Sequence, residues 1–131
     1  MTQDTPHTDL HATVHTYWTS AEARDWDTFE ATLADDVVYD LPQTRERIHG
    51  KPAYSRFNRE YPDTWHVQVL RTVVETTHAV TWLHVTVGLE ELHAVTFFTA
   101  DPTTGLLTTI TDFWPEPYEP PRGREHLVER Y

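Results

Sequence analysis

Asp112, in the apolar stretch 106–114, and His84 and His93, in two earlier alternating stretches, are side chains of the kind that take and give protons. A two-residue turn at Leu89-Glu90 sets His84 opposite Val95 and Trp82 opposite Phe97, and matching Val95 with Asp112 across the next hairpin completes one row. His84 and Asp112 then flank Val95 at about 9 to 10 Å for strands about 4.8 Å apart, a separation that lets them share a ligand or water. His93 lies diagonal to Asp112 at about 7 to 8 Å between Cα atoms, within reach of a direct pair. A second set is His7, His11 and His15, at i, i+4 and i+8 of a helix, where two imidazoles can chelate zinc or nickel. Structural zinc takes four protein ligands and only Asp4 or Asp9 stand nearby, so these histidines read as a solvated helical face and no metal site is assigned. There is no cysteine, no G-x-S-x-G, no Walker loop and no G-x-G-x-x-G, which leaves no cofactor indicated.

The elements that must position these groups follow from periodicity. Leu10, Val14, Tyr17, Trp18 and Ala21 form one stripe of a helix over about 9 to 22, with Thr8 or Asp9 as its cap. Asp25 caps a second helix through Trp26, Phe29 and Leu33. Val37-Val38-Tyr39-Asp40-Leu41 is a strand that Pro42 ends, and a polar loop leads to Gly50. Pro52 opens a third helix carrying Tyr54, Phe57 and Tyr61, which Pro62 stops. The period then changes to 2 over 66–75, 78–88, 91–100 and 106–114, with connections so short that the four strands must be antiparallel neighbours. Helices first and a curled meander second predict an α+β fold with three helices over one sheet face. The chain divides into a flexible start over 1–7, one domain over 8–114 and a proline-rich arm with a short helical stub over 115–131.

This order, together with Ala34-Asp35-Asp36-Val37-Val38-Tyr39-Asp40-Leu41-Pro42-Gln43, Glu46-Arg47-Ile48-His49-Gly50, Asn58-x-x-Tyr61-Pro62 and Thr111-Asp112-Phe113-Trp114-Pro115-Glu116-Pro117, resembles the nuclear transport factor 2-like superfamily over about 8 to 120. Its SnoaL-like branch is the most similar. The resemblance implies a cone with a ligand pocket, but the superfamily holds isomerases, cyclases, dehydratases, epoxide hydrolases and pure binders, so it does not fix a reaction. In the ketosteroid isomerases of the superfamily, the oxyanion tyrosine falls on Tyr17, whose phenol can donate to a ligand oxygen. Their general base falls on Leu41 and their second oxyanion donor on Val95, neither of which can do that work. Asp40 points to the opposite face, toward Arg45 and Arg47, as an ion-pair partner.

The same alignment implies a cavity face of Val80, Trp82, His84 and Thr86, then His93, Val95 and Phe97, then Ile110, Asp112 and Trp114, with Trp18, Phe57 and Tyr61 from the helices. Asp112, His84, His93 and Tyr17 are the expected catalytic set, for acid–base chemistry of isomerase, cyclase or hydratase type on a small, apolar, oxygenated molecule. A non-catalytic homodimer that sequesters such a ligand is the alternative. The opposite face, Leu83, Val85, Leu92, Ala94, Phe98 and Phe113 among it, is too apolar for water and is expected to pair two copies sheet on sheet.

The 131 residues make one domain, and 16 aromatic side chains suffice for a core and a lined cavity. A net charge of −11, from 21 acidic and 10 basic residues, argues against nucleic acid and anionic membranes, which bind through Lys and Arg. The start MTQDTPHTDLHATVH has neither a basic nor an apolar leader region and no apolar run reaches membrane length, so the expected place is the cytoplasm.

Overall fold

A computed structural model of the protein describes residues 9–131. His7, Asp4, Thr8 and the expected flexible start over 1–7 lie outside the described residues. Helix α1 (Leu10–Ala23) is capped by Asp9, whose carboxylate accepts from the backbone N–H groups of His11 at 3.0 Å and Ala12 at 3.4 Å. It ends at Arg24, in the left-handed region at φ +61°. The Arg24 side chain then turns back to donate to the Ala21 carbonyl at 2.8 Å and lies 3.8 Å over the Trp65 ring, fastening α1 to the sheet. Helix α2 (Trp26–Ala31) and helix α3 (Lys51–Arg59) complete one layer, α3 opening after Gly50 at φ +92° with Pro52 in its first turn.

The other layer is a curved six-stranded sheet in the order β2-β1-β6-β5-β4-β3. Its strands are β1 (Leu33–Leu41), β2 (Glu46–His49), β3 (Trp65–Glu75), β4 (His78–Val87), β5 (Glu90–Ala100) and β6 (Leu107–Phe113). All neighbours are antiparallel except β1 and β6, which run parallel. Two expectations fail locally. Leu33 opens β1 instead of continuing α2, and the segment expected as a loop contains β2, an exposed edge strand whose Glu-Arg-Ile-His carries no apolar alternation. The helical stub of the arm is a single 3₁₀ turn, Glu125–Leu127.

The register corrects the expected faces of β4 and β5. The β4–β5 turn falls at Gly88-Leu89, not Leu89-Glu90, so His84 sits opposite His93 and Trp82 opposite Val95. That slip of two residues leaves each side chain on the same side of the ladder. At the next hairpin Ala100 faces Leu107, the register that would carry Val95 to Asp112, but a bulge before Thr99–Thr109 shifts β6 by one residue. Thr96, not Val95, therefore stands opposite Asp112, and the two faces of β5 and β4 exchange roles. Leu83, Val85, Ala94, Thr96 and Phe98 are buried under the helices, while Trp82, His93 and Phe97 are exposed on the outer face.

The core lies between the layers and is built on aromatic contacts. Phe29, wholly buried, meets the Tyr17 ring at 4.8 Å and the Trp26 ring at 5.4 Å, and Phe98 reaches Tyr17 edge-on at 5.1 Å. Truncating Phe29 to alanine is expected to cost about 3 to 5 kcal/mol, a large part of a typical domain's stability, read as a lower midpoint in urea unfolding.

Candidate functional site

One end of the core opens into a cavity of about 460 Å³. Its walls come from α1 (Tyr17, Trp18, Ala21), β1 (Tyr39, Leu41), α3 (Tyr54, Phe57, Asn58) and the start of β3 (Trp65), with Asp112 and Trp114 from β6 and the residue after it. Inward and outward residues alternate along β1, so Tyr39 and Leu41 face in while Asp40 faces out to Arg47, whose Nε lies 2.6 Å from Asp40 Oδ1.

Asp112 is the buried carboxyl of the site, 3% exposed. Thr96 Oγ1 donates to its Oδ1 at 2.5 Å and the Tyr39 phenol donates to its Oδ2. The Trp114 indole N–H is buried and closes no hydrogen bond within the protein, yet stands near enough to favour the charged carboxylate. Burial pushes the Asp112 pKa up, and Thr96, Tyr39 and Trp114 in that order pull it back. The net direction is upward, toward the range of a working base. A second polar pair sits beside the first: the hydroxyls of Tyr17 and Tyr54 are hydrogen-bonded to each other, and the Tyr54 ring stacks on Tyr39 at 4.3 Å. Burial is the largest cause raising all three phenols well above their ordinary value, with Asp112 a further one, so they serve as neutral hydrogen-bond donors.

Of the residues singled out from sequence, Tyr17, Trp18, Phe57, Tyr61, Asp112 and Trp114 line this cavity. Ile110 is fully buried in the core but is not part of the lining. His84, His93, Trp82, Val95 and Phe97 are not in the cavity: the one-residue shift at the β6 bulge places them on the opposite face of the sheet. There the Trp82 indole donates to His93 Nδ1 at 3.0 Å and His84 Nε2 lies 3.6 Å from Glu91, so neither histidine can pair with Asp112. His11 and His15 are exposed on α1. Tyr39, Tyr54 and Thr96 were missed as site residues. Strand parity with Leu41 was the available signal for Tyr39, while Thr96 was hidden by the bulge.

The comparisons with known proteins agree with this architecture. The SnoaL-like domain family matches residues 14–125. A crystal structure from Kribbella flavida, of a candidate ketosteroid isomerase, is 46% identical with a TM-score of 0.88, over 93% of this chain and 89% of that one. A Burkholderia xenovorans NTF-2 like protein of unknown function is 21% identical with a TM-score of 0.76, covering 93% and 94% of the two chains. An epoxide hydrolase of M. tuberculosis, described as LEH-like, is 20% identical with a TM-score of 0.72 over 81% and 82%. The latter two show the fold alone. No curated protein matches the chain.

The upward shift of Asp112 fixes a pH signature. With the folded-state pKa above the unfolded one, the group's contribution to stability is fully present below the unfolded pKa and is lost as pH rises through the folded pKa. Relative to Asp112→Asn, wild-type protein should therefore lose stability as pH rises from about 4, measured as urea midpoints of both proteins across the range. Thr96→Val, which removes a donor to the carboxylate, should move the Asp112 carboxyl titration further up, read by carbon-13 NMR.

Proposed function

The chain belongs to the SnoaL-like family, and on that premise we propose that it is a small-molecule-binding protein that performs acid–base chemistry on an apolar, oxygen-bearing ligand, with Asp112 as base and Tyr17 as donor to the ligand oxygen. The observation that carries this reading is a carboxyl buried in a cavity without a cationic partner and set beside a paired phenol. The position that holds the base in the ketosteroid isomerases resembled by this sequence is Leu41, and Leu41 lines the same cavity. Strands β1 and β6 pair in parallel as Tyr39 with Ile110 and Asp40 with Thr111, so the continuing register sets Leu41 beside Asp112. The carboxyl reaches the cavity from the neighbouring strand, about 4.8 Å away.

The arrangement suits proton transfer at a carbon next to a carbonyl. Asp112 takes the proton, the electron pair of the broken C–H bond moves onto the carbonyl oxygen, and the Tyr17 phenol stabilises that oxygen by hydrogen bonding while Tyr54 holds Tyr17 in place. The protonated carboxyl then returns its proton to the same or another carbon. Each Asp112 oxygen accepts one hydrogen bond and keeps a further lone pair for this. The same two bonds also favour a second reading, in which Asp112 is a satisfied core group and the protein only sequesters its ligand.

Incubation of a cyclic ketone panel in deuterated water, followed by proton NMR, separates the two. Exchange next to the carbonyl that falls about 100-fold or more in Asp112→Asn and persists in His84→Ala supports the enzyme. Ligand retention with no exchange by wild-type protein supports sequestration.

We also propose that two copies pair through the outer sheet face, where Trp82, Phe97 and Phe113 are 44%, 47% and 36% exposed and Phe97 meets Phe113 at 5.9 Å. For β4 and β5 this is the face opposite to the one expected from sequence, while Phe113 of β6 lies on the expected face. Light scattering at micromolar concentration should give a dimer for wild type and a monomer for Phe97→Glu; a wild-type monomer would refute the pairing.

A further inference from the structure

The electrostatics of the cavity mouth define the ligand more narrowly than the cavity itself. Among the described residues lining it, Glu46, Asp63, Glu90, Asp112 and Glu116 are acidic, and there is no lysine, arginine or histidine. Four of these carboxylates are exposed at the entrance and come from separate segments: the start of β2, the α3–β3 connection, the start of β5 and the arm after β6. Basic side chains of the surrounding elements are engaged elsewhere. Arg47 pairs with Asp40, Arg59 with Glu30 and Lys51 with Asp35, Arg24 lies over Trp65 and donates to the Ala21 carbonyl, and Arg45 lines a separate depression that it shares with Asp40, Pro42 and the outer side of Glu46. Tyr61, on the rim, registers the same field: partial burial and then the charges of Asp63 and Glu46 push its phenol up.

An anion entering this cavity would lose water and have to pass the rim carboxylates, whereas a cation would gain from each of them. We propose that the cavity takes an apolar amine, its ammonium group held among the rim carboxylates. The proposal rests on the small-molecule reading of the cavity and narrows it to a cationic class, excluding carboxylates and phosphate esters.

Three probes of one shape test it by calorimetry at neutral pH: 2-naphthylmethylamine, 2-naphthylmethanol and 2-naphthoate. The amine should bind tightest and the carboxylate weakest. A unit charge at about 6 Å in watery surroundings changes affinity about threefold, so Glu90→Gln with Glu116→Gln together should weaken the amine about tenfold. The same double variant should leave the alcohol within about twofold and strengthen the carboxylate. Glu75→Gln, at the far end of β3 from Trp65, is the control for the protein's overall negative charge and should change the amine by less than twofold or so. Alcohol or carboxylate binding as tightly as the amine, or an amine preference that survives the double variant, overturns the cationic class. In that event alcohol binding that Phe57→Ala weakens leaves the small-molecule reading standing. Failure of all three probes to bind overturns both.

Discussion

Keeping a carboxyl group inside an aromatic core is the constraint around which this protein is arranged. Asp112 is the one ionisable carboxyl among the buried polar side chains of the described residues, which are otherwise hydroxyls. An unpaired carboxylate there would cost several kcal/mol or more, and the structure spreads the compensation over three strands. Thr96 on β5 and Tyr39 on β1 donate from either side, and both can do so because β6 runs between them. The parallel β1–β6 pairing is thus as necessary to the site as the residue itself. It brings Tyr39 to the carboxyl and Leu41 alongside it.

The phenols extend that arrangement into the helical layer. Tyr54 stacks on Tyr39 and shares a hydrogen bond with Tyr17, so α3 and α1 are both positioned by contacts that trace back to Asp112. Phe29 and Phe98 pack around Tyr17 and leave its ring little freedom. Packing this firm is what the proposed donation to a ligand oxygen requires, since a preorganised donor pays little reorganisation. The upward pKa of Asp112 follows from the same burial that orders the rings.

Periodicity was enough to read α1, α3 and the four long strands, because their apolar residues recur at helical or two-residue spacing between short polar, glycine or proline breaks. It failed where that physics is absent. Strand β2 is short, polar and exposed, and Leu33 continues a helical spacing although β1 claims it. Within the site, Tyr17, Phe57, Tyr61, Asp112 and Trp114 were legible as cavity residues through what the family resemblance implies, and the structure places them in the lining. The histidines were misplaced for a specific reason. Both faces of β4 and β5 are apolar, Leu83 and Val85 on one, Val80 and Trp82 on the other, so hydrophobicity does not say which is inside. The decision falls to one bulged position between Thr99–Thr109 and Ala100–Leu107, and no residue type announces it.

That bulge also separates two kinds of surface that a regular hairpin would have mixed. With β6 shifted by one residue, Thr96 turns toward Asp112 while Phe97 and Trp82 turn out with Phe113. The helices cover one apolar face of the sheet, and the exposed aromatic rings of the other are what the proposed pairing of two copies would cover. Had the bulge been absent, His93 and Val95 would face the cavity in place of Thr96, and the carboxyl would lose a hydroxyl donor that fits within the core. The imidazoles instead sit where water or a partner can reach them, with Trp82 bonded to His93 and Glu91 near His84. Keeping the imidazoles out of the cavity in this way leaves one carboxyl and its neutral phenols inside, and the carboxylates of Glu46, Asp63, Glu90 and Glu116 at the entrance.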